Sequence, residues 1–181
     1  MKLKSKLLGL GLEALAGGAL LLVGLALAVS ASVAAFAATS SGSTTANVTV
    51  ASSGITLSNL TSSFTLSGNP NSTVTSSAGI VSMNVLTNNA TGYTVSVQAA
   101  AANLTGTGGN TDVIPIADLK VKETGGASFT SLSDTSAVTT HNQATKSGAS
   151  GDTVSNDFQV VIPFVNPDTY TVTLNYVAAT Q

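Results

Sequence analysis

Apolar residues recur at every second position in short runs along most of this chain, and glycine, asparagine and proline separate the runs. Such alternation turns one row of side chains toward a core and the other toward water, as a half-buried β-strand requires. The clearest run has Tyr170, Val172, Leu174, Tyr176 and Ala178 on one side and Thr171, Thr173 and Asn175 on the other. Tyr93, Val95, Val97 and Ala99 alternate with Thr94, Ser96 and Gln98 in a second. Phe158, Val160, Ile162 and Phe164 make a third inward row, and Val81, Met83 and Val85 a fourth. Shorter candidates cover 48–50, 55–57, 64–66, 72–75, 113–116 and 119–121. Turn signals lie between them at Gly68-Asn69-Pro70-Asn71, Asn88-Asn89, Gly108-Gly109-Asn110, Gly125-Gly126 and Asn166-Pro167-Asp168.

No segment after residue 38 carries a 3.6-residue apolar period, and the alanine run at 99–102 is too short to nucleate a helix. Threonine and valine, both β-branched, dominate instead. Short strands with one apolar and one threonine-rich face predict an all-β domain, a single antiparallel two-sheet β-sandwich of Ig-like type over 47–181. Residues 38–46 read as a flexible Ser/Thr-rich lead-in. Residues 133–156 read as a mobile excursion around one weak edge strand seeded by Ala137-Val138.

The first 37 residues follow a different pattern. Lys2, Lys4 and Lys6 precede an apolar run from Ala14 to Val29, and small residues follow, ending in Ala35-Phe36-Ala37. Basic start, apolar helix and A-x-A ending are the three parts of a secretory signal peptide, with cleavage expected between Ala37 and Ala38. Left uncleaved, the stretch from Ala14 to Ala38 would be long enough to anchor in a bilayer, which takes about 20 residues. That is the one membrane contact the sequence suggests. Glu13 at the head of the apolar run also brings type IV pilins to mind, although the glycine context expected at their processing site is poor here.

Composition narrows the chemistry further. Only 8% of residues are charged, against about 25% in typical soluble domains. There is no cysteine, tryptophan or arginine, and one histidine. Without cysteine there are no disulfides, thiol nucleophiles or thiolate zinc sites. Six lysines and no arginine leave no basic surface for a phosphate backbone, so nucleic acid is not an expected partner. Past Ala37, Lys120, Lys122 and Lys146 stand against Asp112, Asp118, Glu123, Asp134, Asp152, Asp157 and Asp168, a net charge of −4.

Candidate chemistry is sparse. His141, in Thr139-Thr140-His141-Asn142, is the one natural base near neutral pH, but no G-x-S-x-G nucleophile motif accompanies it, so it reads as an exposed loop histidine. Asp112 and Asp118 flank 113–116 and would lie at opposite ends of a strand, while the other aspartates accompany turn residues. A paired-acid glycosidase needs two carboxyls across one cleft, which this scatter does not suggest. Asp152, Asn156 and Asp157 place three side-chain oxygens within six positions, and the choice there is between a calcium loop of undefined type and a plain turn before the Phe158 strand. No catalytic, cofactor or metal residue is therefore assigned, and no cofactor is expected. Five N-x-S/T sequons, at Asn47, Asn59, Asn71, Asn89 and Asn103, permit glycosylation without requiring it. A Lys–Asn isopeptide staple would suit a cysteine-free sandwich, but Lys120 and Lys122 alternate with Leu119 and Val121 and are expected to face solvent.

Two stretches carry a resemblance. Gly92-Tyr93-Thr94-Val95-Ser96-Val97, after the Asn88-Asn89 turn, resembles the first signature of the WxL surface domains of Gram-positive bacteria, and 170–177 resembles their second. Tyr93 and Tyr176 stand where that family has tryptophan, and Val95 and Ala178 occupy the hydrophobic third positions. The likeness covers roughly residues 80–181. It implies a secreted β-sandwich held noncovalently on the cell wall by peptidoglycan, with Tyr93 and Tyr176 as surface or wall contacts. The expected function is accordingly noncatalytic: a secreted or cell-surface structural, adhesive protein that meets peptidoglycan or other surface proteins through sheet edges and faces. The chain runs to Gln181 with no sortase motif or apolar tail after the last predicted strand, so attachment is expected to be noncovalent. One alternative is a self-assembling fibre or pilin subunit whose 46–57 stretch adds as a strand to the next copy. A secreted hydrolase using His141 is a second.

Overall fold

Alternating valine, threonine and tyrosine positions become strands wherever both their apolar row and their backbone groups find partners. The computed structural model describes residues 41–51 and 54–181. The expected leader, with Ala37 and Ala38 at its cleavage site, and the first residues of the lead-in lie outside the described residues. Residues 41–46 carry no regular structure and are exposed.

Asn47–Gln181 form one compact unit. Its twelve strands are β1 (Thr56–Ser58), β2 (Ser72–Thr75), β3 (Val81–Leu86), β4 (Tyr93–Ala99), β5 (Asn103–Gly106), β6 (Val113–Pro115), β7 (Leu119–Glu123), β8 (Thr130–Ser131), β9 (Val138–Gln143), β10 (Asp152–Ile162), β11 (Tyr170–Thr171) and β12 (Leu174–Thr180). One 3₁₀ turn, Ile116–Asp118, links β6 to β7. Every pairing is antiparallel, so the all-β, antiparallel expectation holds for the described residues.

The hydrogen-bonded sheets are three. The largest runs β1-β3-β10-β7-β8, and the others run β12-β4-β9 and β11-β5-β6. β10 organises the first of these. Its residues 152–156 pair with β3, 159–162 pair with β2, and 156–160 pair with β7. Because Gln159 and Val160 pair with β2 and β7 at once, β2 and β3 share one edge of β10 end to end and β7 takes the other. Eleven residues in one strand make this possible.

Inward rows from these sheets meet in one core. Val81, Met83 and Val85 of β3, Tyr93, Val95 and Val97 of β4, and Val154 and Phe158 of β10 are all 2% exposed or less. The Phe64 ring lies 4.5 Å from that of Phe158, tilted by 34°, and brings an irregular stretch of chain onto the same core. Gly92 sets the entry to β4. Its φ of +90° is open to glycine, and an added Cβ would overlap the Gln143 carbonyl oxygen. The glycine of the Gly-Tyr signature is thus required by close backbone approach.

Several expected elements come out differently. Residues 48–50 are exposed and unpaired, with Val48 at 87% and Val50 at 78% exposure. Residues 64–66 pack by side chain without forming a strand. Phe164 does not extend the β10 row: the strand ends at Ile162, Pro163 cannot donate a ladder hydrogen bond, and Phe164 is 84% exposed. The supposed excursion at 133–156 contains β9 and the first five residues of β10, both paired. Its hydroxyl-rich composition hid Val154 and Asn156, which alternate into the core in phase with Phe158.

Phe158→Ala should cost about 3–5 kcal/mol, the usual range for emptying a fully buried aromatic site. Val177→Ser, at a position 56% exposed, should stay within about 0.5 kcal/mol. Urea unfolding of the two variants against the parent chain checks both values.

Candidate functional site

Tyr93 and Tyr176, the two residues singled out by the resemblance, sit in different surroundings. Tyr93 has no exposed surface, so its ring is a core element and not a surface contact. Strand alternation places it inward, and its hydroxyl donates to Asp152 Oδ2 at 2.9 Å. Burial, reinforced by the Asp152 hydrogen bond and by the charges of Asp152 and Glu123, pushes this phenol well above its ordinary value. Tyr176 is half-buried on β12, and its hydroxyl is buried with no hydrogen-bond partner. Burial alone raises that phenol too.

His141 lies on a strand and is largely enclosed, contrary to its reading as an exposed loop residue. Its side chain is 17% exposed, its Nδ1 lies 2.6 Å from Glu123 Oε1, and its ring centroid is 5.4 Å from that of Tyr93. A bulge is responsible. Val97 pairs with Val138 and Ser96 with Thr139, but Val95 pairs with His141, leaving Thr140 as an extra residue. A regular strand would put positions 138 and 141 on opposite faces; one inserted residue brings both to the core side. An ionised Glu123 can only accept, so the arrangement fits a proton on Nδ1 donated to it. Nε2 is then a buried atom without a partner.

Tyr93, Asp152, His141 and Glu123 form one polar cluster joining β4 and β9 to β10 and β7. None of them lines the shallow depression around Leu86 and Ala149 or the larger cleft beside the 60–70 segment. Asp152 and Asp157 do not converge as a calcium loop would need. Asp152 turns to Tyr93, whereas Asp157, five residues on, accepts from the Gly79 amide at 2.7 Å and the Thr124 hydroxyl at 2.7 Å. Among the described residues no three histidine, aspartate or glutamate side chains gather to hold a metal.

Lys122 is directly opposite Asp157 in the β7–β10 register, with Nζ 3.7 Å from Oδ2. It also donates to the Gly126 carbonyl at 3.0 Å and sits over the Phe129 ring. This corrects the expectation that Lys122 faces open solvent. Burial would raise the Asp157 carboxyl, but the Gly79 amide, the Thr124 hydroxyl and Lys122 outweigh it and hold the carboxyl below its ordinary 3.8. An ionised carboxylate beside an ammonium is a salt bridge, poorly set to condense into an amide.

The larger depression is a cleft of about 860 Å³ between the 60–70 segment and the stretch from Val165 to Tyr176. Its floor reaches core residues Val81, Leu104, Ile114, Leu119 and Val160, and Leu174 and Tyr176 form part of its wall. Asp168 is the one carboxylate in the lining. The Gly108 amide, with help from Thr169 and Asn110, holds it in the ionised form and ties it to the β5–β6 loop. Sequence reasoning missed this cleft because its walls are irregular segments, where period-two alternation carries no signal.

No protein-family model matches the chain, and no curated protein matches it.

Two outcomes follow from this geometry. Tyr93→Phe should cost about 1–3 kcal/mol in urea unfolding, since Asp152 Oδ2 loses its hydroxyl donor in a half-buried setting while Oδ1 keeps the Gly148 amide. Asp157 contributes stability that is present above pH 3.8 and lost as pH falls through its depressed folded value. Acid unfolding of Asp157→Asn should therefore show a shallower loss of stability below pH 4 than the parent.

Proposed function

We propose that the chain is a noncatalytic protein exported to a bacterial cell surface, where it acts in structure or adhesion. In this reading its sheets form a two-layered sandwich of Ig-like or WxL-like type, with β3, β7 and β10 facing β4, β9 and β12. The shared core and the Tyr93–Asp152 and His141–Glu123 bridges support that layering. Residues 1–37 serve as the signal peptide, and the partner is peptidoglycan or another surface protein.

One observation carries the noncatalytic reading. The cleft of about 860 Å³ is walled by apolar, hydroxyl and amide side chains, and its single carboxylate is already committed to loop hydrogen bonds. The one imidazole, that of His141, is paired with Glu123, and neither residue lines this cleft. Recognition through such a surface rests on shape and apolar contact. The low charge of the chain suits the same mode, since little electrostatic attraction is available.

Sedimentation with purified peptidoglycan tests the reading. The full-length chain should pellet with the polymer, and the bound fraction should survive raised salt, because apolar contact is not screened. Recovery in the supernatant at low salt would remove the wall-binding part. A hydrolytic activity that His141→Ala abolishes would remove the noncatalytic part.

A further inference from the structure

We infer that the Asn47–Ala51 segment of one copy adds as a strand to the free edge of β12 in a second copy, with Val48 and Val50 entering the cleft. The inference rests on the noncatalytic reading above and gives the exposed edge a partner of stated chemistry. Two unmet features of the same chain carry it.

The first is the donor. Asn47-Val48-Thr49-Val50-Ala51 is uncharged, free of proline and rich in β-branched residues, and it lies exposed without a strand partner among the described residues. Its two valines alternate onto one side and are the most exposed of the large aliphatic side chains described. The second is the acceptor. β12 is the terminal strand of β12-β4-β9, so one of its edges has no ladder partner among the described residues. Natural edge strands are guarded by lysine, proline or shortness. β12 has seven residues, Leu174–Thr180, and neither guard. Its inward Leu174 and Tyr176 border the cleft, where the buried Tyr176 hydroxyl still lacks a partner that an incoming backbone carbonyl would supply.

The segment cannot serve its own cleft. The Asn88 side chain donates to the Ala51 carbonyl at 3.2 Å, which pins Ala51 just past the C-terminal end of β3. The cleft floor meets β3 at Val81, its first residue. Six strand residues separate these ends by about 20 Å, whereas Val48 lies only about 10 Å of extended chain from Ala51. Donor and cleft therefore occupy opposite ends of the unit, while the far end of β12 is held on the donor's side, where the Asn89 side chain donates to the Gln181 carbonyl. A contact of this kind is head-to-tail, and it propagates into open chains unless the rotation between copies happens to close a ring.

The absence of cysteine makes cross-linking decisive. Thr49 alternates with the two valines and Asn175 and Val177 with Tyr176, so strand addition brings these outward positions side by side. Full-length T49C mixed with full-length N175C or V177C should form a disulfide-linked heterodimer under mild oxidation. T49C mixed with N142C, on the outer edge of β9, gives the random level. Adding V48D and V50D to the T49C chain should abolish the heterodimer, and these exposed sites leave the far-ultraviolet spectrum unchanged. Three results would overturn the inference: a heterodimer no stronger than the N142C control, one indifferent to V48D and V50D, or a T49C/V177C double variant that closes within one chain. Peptidoglycan sedimentation of the V48D/V50D chain separates the two proposals, because wall binding without strand addition leaves it intact.

Discussion

Burial of one row of side chains on β10 is the constraint from which the rest of the structure follows. Val154, Asn156, Phe158 and Val160 point inward in strict alternation, and β3, β2 and β7 find their registers by keeping their own apolar rows level with it. A slip of one residue would turn every valine on the slipped strand to water. Asn156, fully buried, is the exception in that row. Its amide donates to the Lys122 and Ser155 carbonyls, which satisfies the nitrogen, while its side-chain oxygen stays unpaired.

Polar ties then fix how the rows meet. Tyr93 reaches Asp152 and His141 reaches Glu123, each contact linking a strand of the β12-β4-β9 sheet to one of the β10 sheet. Breaking one partner of such a pair leaves a polar group in poor surroundings, so these contacts specify one arrangement more than they add stability. The bulge at Thr140 belongs with them, since without it His141 would face solvent and Glu123 would lose its partner. A histidine and a carboxylate used in this way serve as structural parts, and the proposed function by contact falls to the surface.

The legible parts of the fold are those governed by period two. β3, β4, β10 from Phe158 onward, and the Leu174–Ala178 part of β12 follow from their alternating residues, and Gly92 and the Asn-Gly-Pro clusters mark their ends. Tyr170–Thr171, expected in one strand with Leu174, instead form β11 and pair with β5 in a different sheet. Three things were hidden for physical reasons. The start of β10 is polar in composition, and its pairing is visible only once β3 supplies a partner row. β5, at Asn103–Gly106, offers a single buried side chain, Leu104, too little to read as a pattern. The bulge reverses the phase of β9, so alternation assigns His141 to the wrong face. Of the two tyrosines chosen by resemblance, Tyr176 reaches the cleft and Tyr93 is a core post, a difference set by neighbouring strands and not by either residue's own sequence context.

What results is a well-buried interior with open borders: a long uncharged edge at β12, a cleft beside its first residues, and an exposed valine pair at the end remote from that cleft. Function by contact and not by chemistry is the central claim, and amide hydrogen exchange on the full-length chain, alone and with purified cell-wall material, tests it most directly. The account predicts that β10 amides exchange slowest in both states and that new protection appears at β12 and the cleft rim. Protection gained instead around His141 and Glu123, or fast exchange throughout β10, would contradict it.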